Sequence, residues 1–387
     1  MTIASPLRGR TVVDFSLYVP GSHCTKILAE LGAEVIKVEP VTGDPVRNFM
    51  PGLYDSLNSG KRTVALDLKD PRGLDVCRRL LTDVDVVVEG FRPGVMERLG
   101  LGFTDIVSLS PKVMYCSLSG YGQDGPRALD SGHDLNYNAV AGAFAVQLAV
   151  GDTPHAGPFA AADLGGAMYA ATAICASLAD ARGDNVHLDV SLTEASLALS
   201  AVGWGRPMTG EALHDEDIGS LAPGYGIYRC RDGKWIAVGA VEDEFWVSLC
   251  SALGTPELAT HPYDCHTGRM RNRRFLSGRL TEQIAQCDSS ALLGYSGANG
   301  IPLSPLQSVE DVRADPHFRH RNAIHPLPDG FAVTHPVRYS GSRPPAQSGC
   351  VPMTPEELGT VTRLGADAID ALAREGVIGH QPTAADV

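Results

Sequence analysis

The chain has 387 residues, 44% of them apolar and 20% charged, which is enough to bury a sizeable core in two lobes. Its formal charge of −13 excludes the basic stripes of a general nucleic-acid surface, so no nucleic-acid partner is expected. The nine cysteines are odd in number and widely spaced, with no C-x-x-C pair, which reads as free thiols in a reduced cytoplasm and not as a metal site.

In chain order, the first half alternates strands and helices. Residues 11–15 are β-branched and apolar, 20–31 carry helical spacing, and 33–38 read as a second strand. Further strands are expected at 63–66, 84–88 and 113–118, with helices at 71–81 and 94–99 between them. Strands separated by helices imply a parallel sheet covered on both faces. An Ala-rich helical stretch is expected over 134–181, then a strand at 186–190 and a helix after Ser191. Its apolar run 164–179 is short for a membrane span and rich in small residues, so a buried helix and no membrane partner are expected. The first ten residues carry arginines without an apolar block behind them, which argues against a secretory signal.

Residues 203–226 are rich in Gly, Pro and acid and read as a linker or mobile loop. Beyond them, 227–230 and 234–238, joined by Arg231-Asp232-Gly233, have the turn chemistry of a hairpin. Helical pattern follows at 242–253 and 276–293, and the amphipathic stretch 359–375 returns to pack on the first lobe. The expected organisation is a large domain over 1–203, a linker at 204–226, a smaller α+β domain over 227–330 and a return segment over 331–387.

Two segments carry candidate chemistry: Ser131-Gly132-His133-Asp134-Leu135-Asn136-Tyr137 and Ala162-Asp163-Leu164-Gly165-Gly166. A histidine and a carboxyl on opposite sides of one carbon is the inventory for lifting a proton off one face and returning one to the other. Taken alone, His133 equally suits a capping or buried hydrogen-bonded imidazole, and Asp163 a cap before an apolar run. Lys37, Arg47, Lys61, Arg62 and Arg92 lie near strand ends or in loops, where they read as solvated charges or as one local anion pocket in an acidic protein. Gly120-Tyr-Gly122-Gln-Asp-Gly125 matches a dinucleotide fingerprint, but Pro126 follows and no acid-ended second strand comes at the right distance. No G-x-S-x-G elbow is present.

Several blocks together resemble the family III CoA-transferase superfamily. They are Leu7-Arg-Gly9-Arg-Thr-Val-Val-Asp14, Leu31-Gly-Ala-Glu-Val-Ile-Lys-Val-Glu39, Gly43-Asp44-Pro-Val-Arg47, Gly60-Lys-Arg-Thr-Val-Ala-Leu-Asp-Leu68, Glu89-Gly-Phe-Arg-Pro-Gly-Val95 and Ser117-Leu-Ser-Gly-Tyr-Gly-Gln-Asp-Gly-Pro126. Gly132-His133-Asp134-Leu-Asn136-Tyr137 is similar to the signature of the superfamily's α-methylacyl-CoA racemases; its transferases share the aspartate and usually lack the histidine. The resemblance implies an α/β fold with a Rossmann-like parallel sheet, a smaller α+β domain, chain ends returning to the large domain, and an interlocked homodimer. It implies Asp163 as the carboxylate both branches use, with Glu242, or nearby Glu244, orienting His133 from the second lobe. Asp134 would support Asp163 or cap its own helix. Arg92, with Lys61 and Arg62, would hold the phosphates of coenzyme A, which enters only as part of the substrate and with no other cofactor, while Tyr137 lines the site. Val19-Pro20-Gly21-Ser22 and the acidic stretch 215–217 depart from the family pattern.

Three readings follow. In the first, an acyl-CoA thioester branched by a methyl at carbon 2 is racemised by two-base proton transfer through an enolate. The barrier is steep: with about a dozen pKa units between an α-proton and an ordinary base, the gap is roughly 16 kcal/mol. Donors aimed at the thioester oxygen and a base in near-attack geometry must supply it. In the second, Asp163 is the nucleophile of a CoA-transferase that moves coenzyme A between carboxylic acids through an acyl anhydride. In the third, the chain binds CoA esters without turnover.

Overall fold

The computed structural model describes residues 5–149, 153–180, 183–204, 208, 222–327, 330–347 and 349–379. Most of the expected linker, including its acidic stretch 215–217, lies outside the described residues. Described residues within Met1–Phe144, His155–Ser200 and His317–Val387 form one compact unit, and those within Ala145–Pro154 and Ala201–Pro316 a second.

The first unit is built on β1 (Thr11–Asp14), α1 (Val19–Glu30), β2 (Glu34–Glu39), α2 (Val46–Phe49), α3 (Pro51–Asn58), β3 (Arg62–Leu66), α4 (Pro71–Leu80) and β4 (Val86–Glu89). The chain continues with α5 (Val95–Leu99), α6 (Phe103–Leu109), β5 (Met114–Ser119), α7 (Asp134–Val140), α8 (Ala145–Ala149, in the second unit), α9 (Ala161–Leu178), β6 (Val186–Ser191) and α10 (Leu192–Ala201). The strands pair in parallel in the order β3-β2-β1-β4-β5-β6. The order in which the chain adds strands reverses between β1 and β4, and in such open sheets the crevice beyond the carboxyl ends at this reversal is where ligands bind.

Alternate residues of each strand feed two cores, as the two-residue period of a strand requires. Val13 and Val87 pack with α4, α6 and the carboxyl-terminal segment on one face. Val12, Val86 and Val88 pack with α1 and α9 on the other. Because βα connections run the helices back along the sheet, α1 leaves the carboxyl end of β1 and α9 leads to the start of β6. The two helices therefore lie parallel, with both amino termini at the same edge of the sheet. Helix α9 is long and apolar enough by length and composition to cross a membrane, but its Ala162, Gly165, Gly166, Ala167, Ala170, Ala171 and Ile174 are buried within this unit.

The second unit holds an antiparallel sheet of β7 (Tyr225–Arg229), β8 (Trp235–Gly239) and β9 (Leu303–Pro305), with α11 (Asp243–Ala252), α12 (His266–Arg271), α13 (Arg273–Ile284) and α14 (Ser289–Asn299). The β7–β8 hairpin turns at Gly233, whose φ of +79° is the left-handed conformation that only glycine adopts freely. The indole N–H of fully buried Trp246 donates to the Leu258 carbonyl at 2.7 Å.

In the first unit, β10 (Ile324–Leu327) and β11 (Gly330–Val333) form a further hairpin, and two short strands finish the large sheet. β12 (Val351–Pro352) pairs parallel with the start of β3 and β13 (Ile378–Gly379) antiparallel with its end, so the return segment covers an edge that would otherwise be open. Helices Pro355–Thr362 and Ala366–Arg374 add Leu358 and Ile369 to the core.

Three expectations on elements need correction. The stretch 276–293 is two helices, α13 and α14, because extended backbone at Asp288 (ψ 139°) breaks the run and the Cys287 carbonyl accepts the Arg231 N–H instead. The described residues of the stretch 134–181 form three helices, α7, α8 and α9, the first ending just before Gly142, whose φ of +75° does not continue a helix. Helices α2, α3 and α6, absent from the sequence reading, are too short for periodicity to reveal.

Candidate active site

The amino terminus of α9 has an unusual cap. Its N-cap is Ala160, which has no side-chain acceptor for the first free N–H groups of the helix. Asp134, the first residue of α7, supplies one: its Oδ1 accepts the N–H of Ala162 at 2.8 Å and of Asp163 at 3.1 Å. Oδ2 of Asp134 accepts the Asn138 amide at 2.7 Å, one helical turn along α7, and the Asn138 carbonyl oxygen accepts the Ser196 hydroxyl at 2.6 Å. One hydrogen-bonded chain thus ties α10 to α7 and α7 to the turn carrying Asp163. Asp134 therefore holds the backbone of the turn that carries Asp163.

This cap places a charged carboxylate beneath a half-buried carboxyl. Burial first, and the neighbouring Asp134 charge second, push Asp163 up from 3.8 to about 7. The positive end of α9 pulls the other way, and burial outweighs it. A carboxyl with a midpoint near 7 is present both protonated and ionised at neutral pH, the requirement for a group that gives and takes a proton. Gly165 and Gly166 let α10 lie on α9, since a Cβ at either would fall 2.7 Å from Leu199 Cδ1 or 2.3 Å from Leu192 Cδ2.

His133 is the N-cap of α7, yet its ring does no capping. Its backbone N–H donates to Asn136 Oδ1 at 3.1 Å, and its carbonyl accepts the N–H of Asn136 at 2.8 Å. The imidazole is exposed and has no hydrogen-bond partner among the described residues, so it is available to a ligand. Asp134 links the two segments, being adjacent to His133 in sequence and hydrogen-bonded to the backbone of Asp163.

Tyr137 is held beside them. Its ring packs where a Cβ of Gly120 or Gly132 would stand, 2.5 and 2.6 Å from Tyr137 Cε1, and meets Tyr121 edge-on at 5.3 Å. Its hydroxyl donates to the Gly132 carbonyl at 2.5 Å, and burial together with the Asp163 charge pushes it up to about 12. It shapes the loop and stays protonated. Arg92, exposed in the loop after β4, donates to the Ser131 hydroxyl at 2.6 Å, two residues before His133.

The other expected basic ligands are placed differently. Lys61 is fully buried and donates to Asp14 Oδ2 at 3.1 Å, Asn58 Oδ1 at 2.8 Å and the Ser22 carbonyl at 2.9 Å, so no donor is left for a phosphate. Burial pulls its ammonium down to about 8 despite the Asp14 carboxylate. Lys37 lies buried beside Asp44 at 3.2 Å in the same network. Arg62 donates to the Pro352 carbonyl at 3.3 Å and pairs with Glu357, holding the return segment. Glu242, in the second unit, is the exposed N-cap of α11, and its carboxylate has no hydrogen-bond partner among the described residues; neighbouring Asp243 pairs with Arg269 at 2.7 Å.

One group escaped the sequence reading although its block was singled out. Glu89, at the end of β4, is buried and raised to about 7, chiefly by desolvation, while Oε2 accepts the Phe91 N–H at 2.8 Å. It fixes the turn that presents Arg92. An acid ending an otherwise apolar strand before Gly90 was the available signal.

Residues 7–357 match CoA-transferase family III. The human succinyl-CoA:glutarate CoA-transferase is 31% identical, covering 99% of this chain and 92% of that protein. The human α-methylacyl-CoA racemase is 37% identical over 64% of this chain and 65% of its own length. Among solved structures, a CAIB/BAIF family protein from Brucella suis superposes with a TM-score of 0.80 at 27% identity, covering 95% of this chain and 99% of that one. With a parallel sheet of this order, an aspartate at the head of α9 and a match over nearly the whole length, the chain belongs to CoA-transferase family III.

Proposed function

We propose that this enzyme racemises 2-methyl-branched acyl-CoA thioesters by two-base proton transfer, with His133 and Asp163 on opposite faces of the α-carbon. The observation that carries the reading is the pairing of an unpartnered, exposed imidazole with a carboxyl raised to about 7, joined through Asp134. Neutral His133 takes the α-proton while protonated Asp163 delivers one from the other side; the reverse direction exchanges the roles. The enolate between them bears its charge on the thioester oxygen, and N–H groups in the first turn of α9 that Asp134 does not engage are suited to meet it. Arg92 would hold a phosphate of coenzyme A, and no further cofactor is needed for these steps. Lys61 and Arg62 are proposed to act indirectly by fixing the surrounding loops. A homodimer is proposed, because Met168 and Tyr169 on α9 with Leu197 and Leu199 on α10 leave apolar side chains exposed at about half their surface. A cytoplasmic setting fits the nine free thiols, and turnover in lipid or fatty-acid metabolism fits the substrate class.

A second reading, CoA transfer between carboxylic acids with Asp163 as the nucleophile, is favoured by the 31% identity to a transferase over 99% of the chain. The two separate in one experiment. One epimer of a 2-methylacyl-CoA is held with the protein in deuterated water without acceptor acid and followed by proton NMR. Loss of the α-proton signal with growth of the other epimer is expected; an α-proton that persists until a free acid is added, after which CoA moves to that acid, overturns the racemase in favour of the transferase.

A further inference from the structure

The carboxyl ends of β4, β5 and β6 carry a series of polar side chains on the face of the sheet away from α1 and α9. Glu89, the last residue of β4, pairs in register with Ser117 of β5, and Ser117 with Asp189 of β6. His187 lies two residues before Asp189 and so on the same face, diagonal to Ser117. The Ser117 hydroxyl is 3.0 Å from His187 Nε2 and hydrogen-bonds with the Glu89 carboxyl on its other side. Glu89 and Ser117 are 4% and 2% exposed, whereas the imidazole reaches the surface, stacked on Phe103 at 5.2 Å and meeting Tyr115 edge-on at 5.5 Å. A buried carboxyl is thus joined to a surface imidazole through one hydroxyl.

A hydroxyl has a single proton to donate, so the direction of these bonds follows the proton on Glu89. Ionised Glu89 only accepts; Ser117 then donates to it, and His187 donates its Nε2–H to Ser117. Protonated Glu89 can donate to Ser117, which turns the hydroxyl toward Nε2 as acceptor. The two states grip the next turn unequally. Glu89 Oε2 accepts the Phe91 N–H at 2.8 Å, and a charge-assisted bond of this kind is roughly twice as strong as its neutral counterpart. The turn leads directly to Arg92, which donates to Ser131 at 2.6 Å. Both states are populated at neutral pH: burial and the acidic neighbours Glu97 on α5 and Asp189 on β6 raise Glu89 to about 7, while Ser117 and the Phe91 N–H pull it back. Its charge is felt in turn by Tyr115 and Cys116 on β5, both pushed up.

We infer that Glu89, Ser117 and His187 are positioning residues for coenzyme A: with Glu89 ionised the series tightens the turn that sets Arg92 on a phosphate, and with Glu89 protonated it loosens that turn. The inference rests on the acyl-CoA reading proposed above and adds to it a control of how firmly Arg92 holds its phosphate.

The test titrates free coenzyme A calorimetrically into wild type, Glu89→Gln, Ser117→Ala and His187→Phe between pH 6 and pH 8.5, with the Glu89 midpoint read by carbon-13 NMR. Wild type is expected to bind about fivefold more tightly than Glu89→Gln at pH 8.5, and the two to converge at pH 6. The ligand's own phosphate titrates equally for every variant, so the ratio at each pH isolates Glu89. Ser117→Ala is expected to raise the midpoint and shift the binding curve to higher pH, because the hydroxyl favours the ionised carboxyl. His187→Phe keeps an aromatic ring to stack on Phe103, removes the donor behind that hydroxyl, and is expected to shift both in the same direction. A constant ratio of wild type to Glu89→Gln across the range overturns the inference and leaves Glu89 a structural acid, as does an unmoved midpoint in Ser117→Ala, a variant that retains the carboxyl and decides the matter even where Glu89→Gln does not fold. If wild type binds coenzyme A at no pH, the acyl-CoA reading itself fails and the inference with it, an outcome distinct from the others.

Discussion

At the scale of single residues, the central quantity is the proton on Asp163. Its carboxyl is raised from 3.8 to about 7, so between those values the folded chain keeps a proton that the unfolded chain has lost. Raising the pH through that window therefore destabilises the fold. Between pH 5 and pH 8 the loss from this group is about 2–3 kcal/mol, at about 1.36 kcal/mol per pH unit. Asp163→Asn is expected to abolish α-proton exchange and to make urea-unfolding stability fall less steeply over the same interval. Parallel pH dependences for the two proteins would show that burial does not act on this carboxyl as described. Lys61 illustrates the limit of residue-level reading: a lysine before a strand looks like an anion ligand, and only the fold reveals that Asp14, Asn58 and Ser22 enclose it.

At the scale of elements, α9 depends on a cap borrowed from α7. Asp134→Ala removes the acceptor of two helix N–H groups and is expected to cost about 1–2 kcal/mol. Asp134→Asn keeps a carbonyl oxygen for those groups while deleting the charge beneath Asp163, so the stability loss is expected to be smaller and the Asp163 midpoint to drop below 7. Carbon-13 NMR of the Asp163 carboxyl measures that midpoint; an unchanged value in Asp134→Asn would leave burial as its only cause. The parallel strands were legible because their apolar runs are continuous, as burial on both faces demands. The break at Asp288 was not, since Arg231 and Asp288, which pair at 2.5 Å, are 57 residues apart in the chain.

At the scale of the whole molecule, the apolar residues left exposed on α9 and α10 predict association. Sedimentation velocity at micromolar concentration is expected to give a dimer, and Met168→Glu with Leu197→Glu a monomer; a monomeric wild type would remove the proposed assembly. The sequence by itself determined the alternation of strands and helices, the family and the segments bearing His133 and Asp163, because hydrophobic period and contiguous motifs are local properties of the chain. Only the tertiary structure decided which charges are buried, that Asp134 caps a helix 28 residues downstream, and that Ser117 joins Glu89 to His187 across three strands. Those outcomes depend on what other segments bring to each atom: a carboxyl becomes a proton donor at neutral pH through the desolvation and charge around it, and neither is written in its neighbours along the chain.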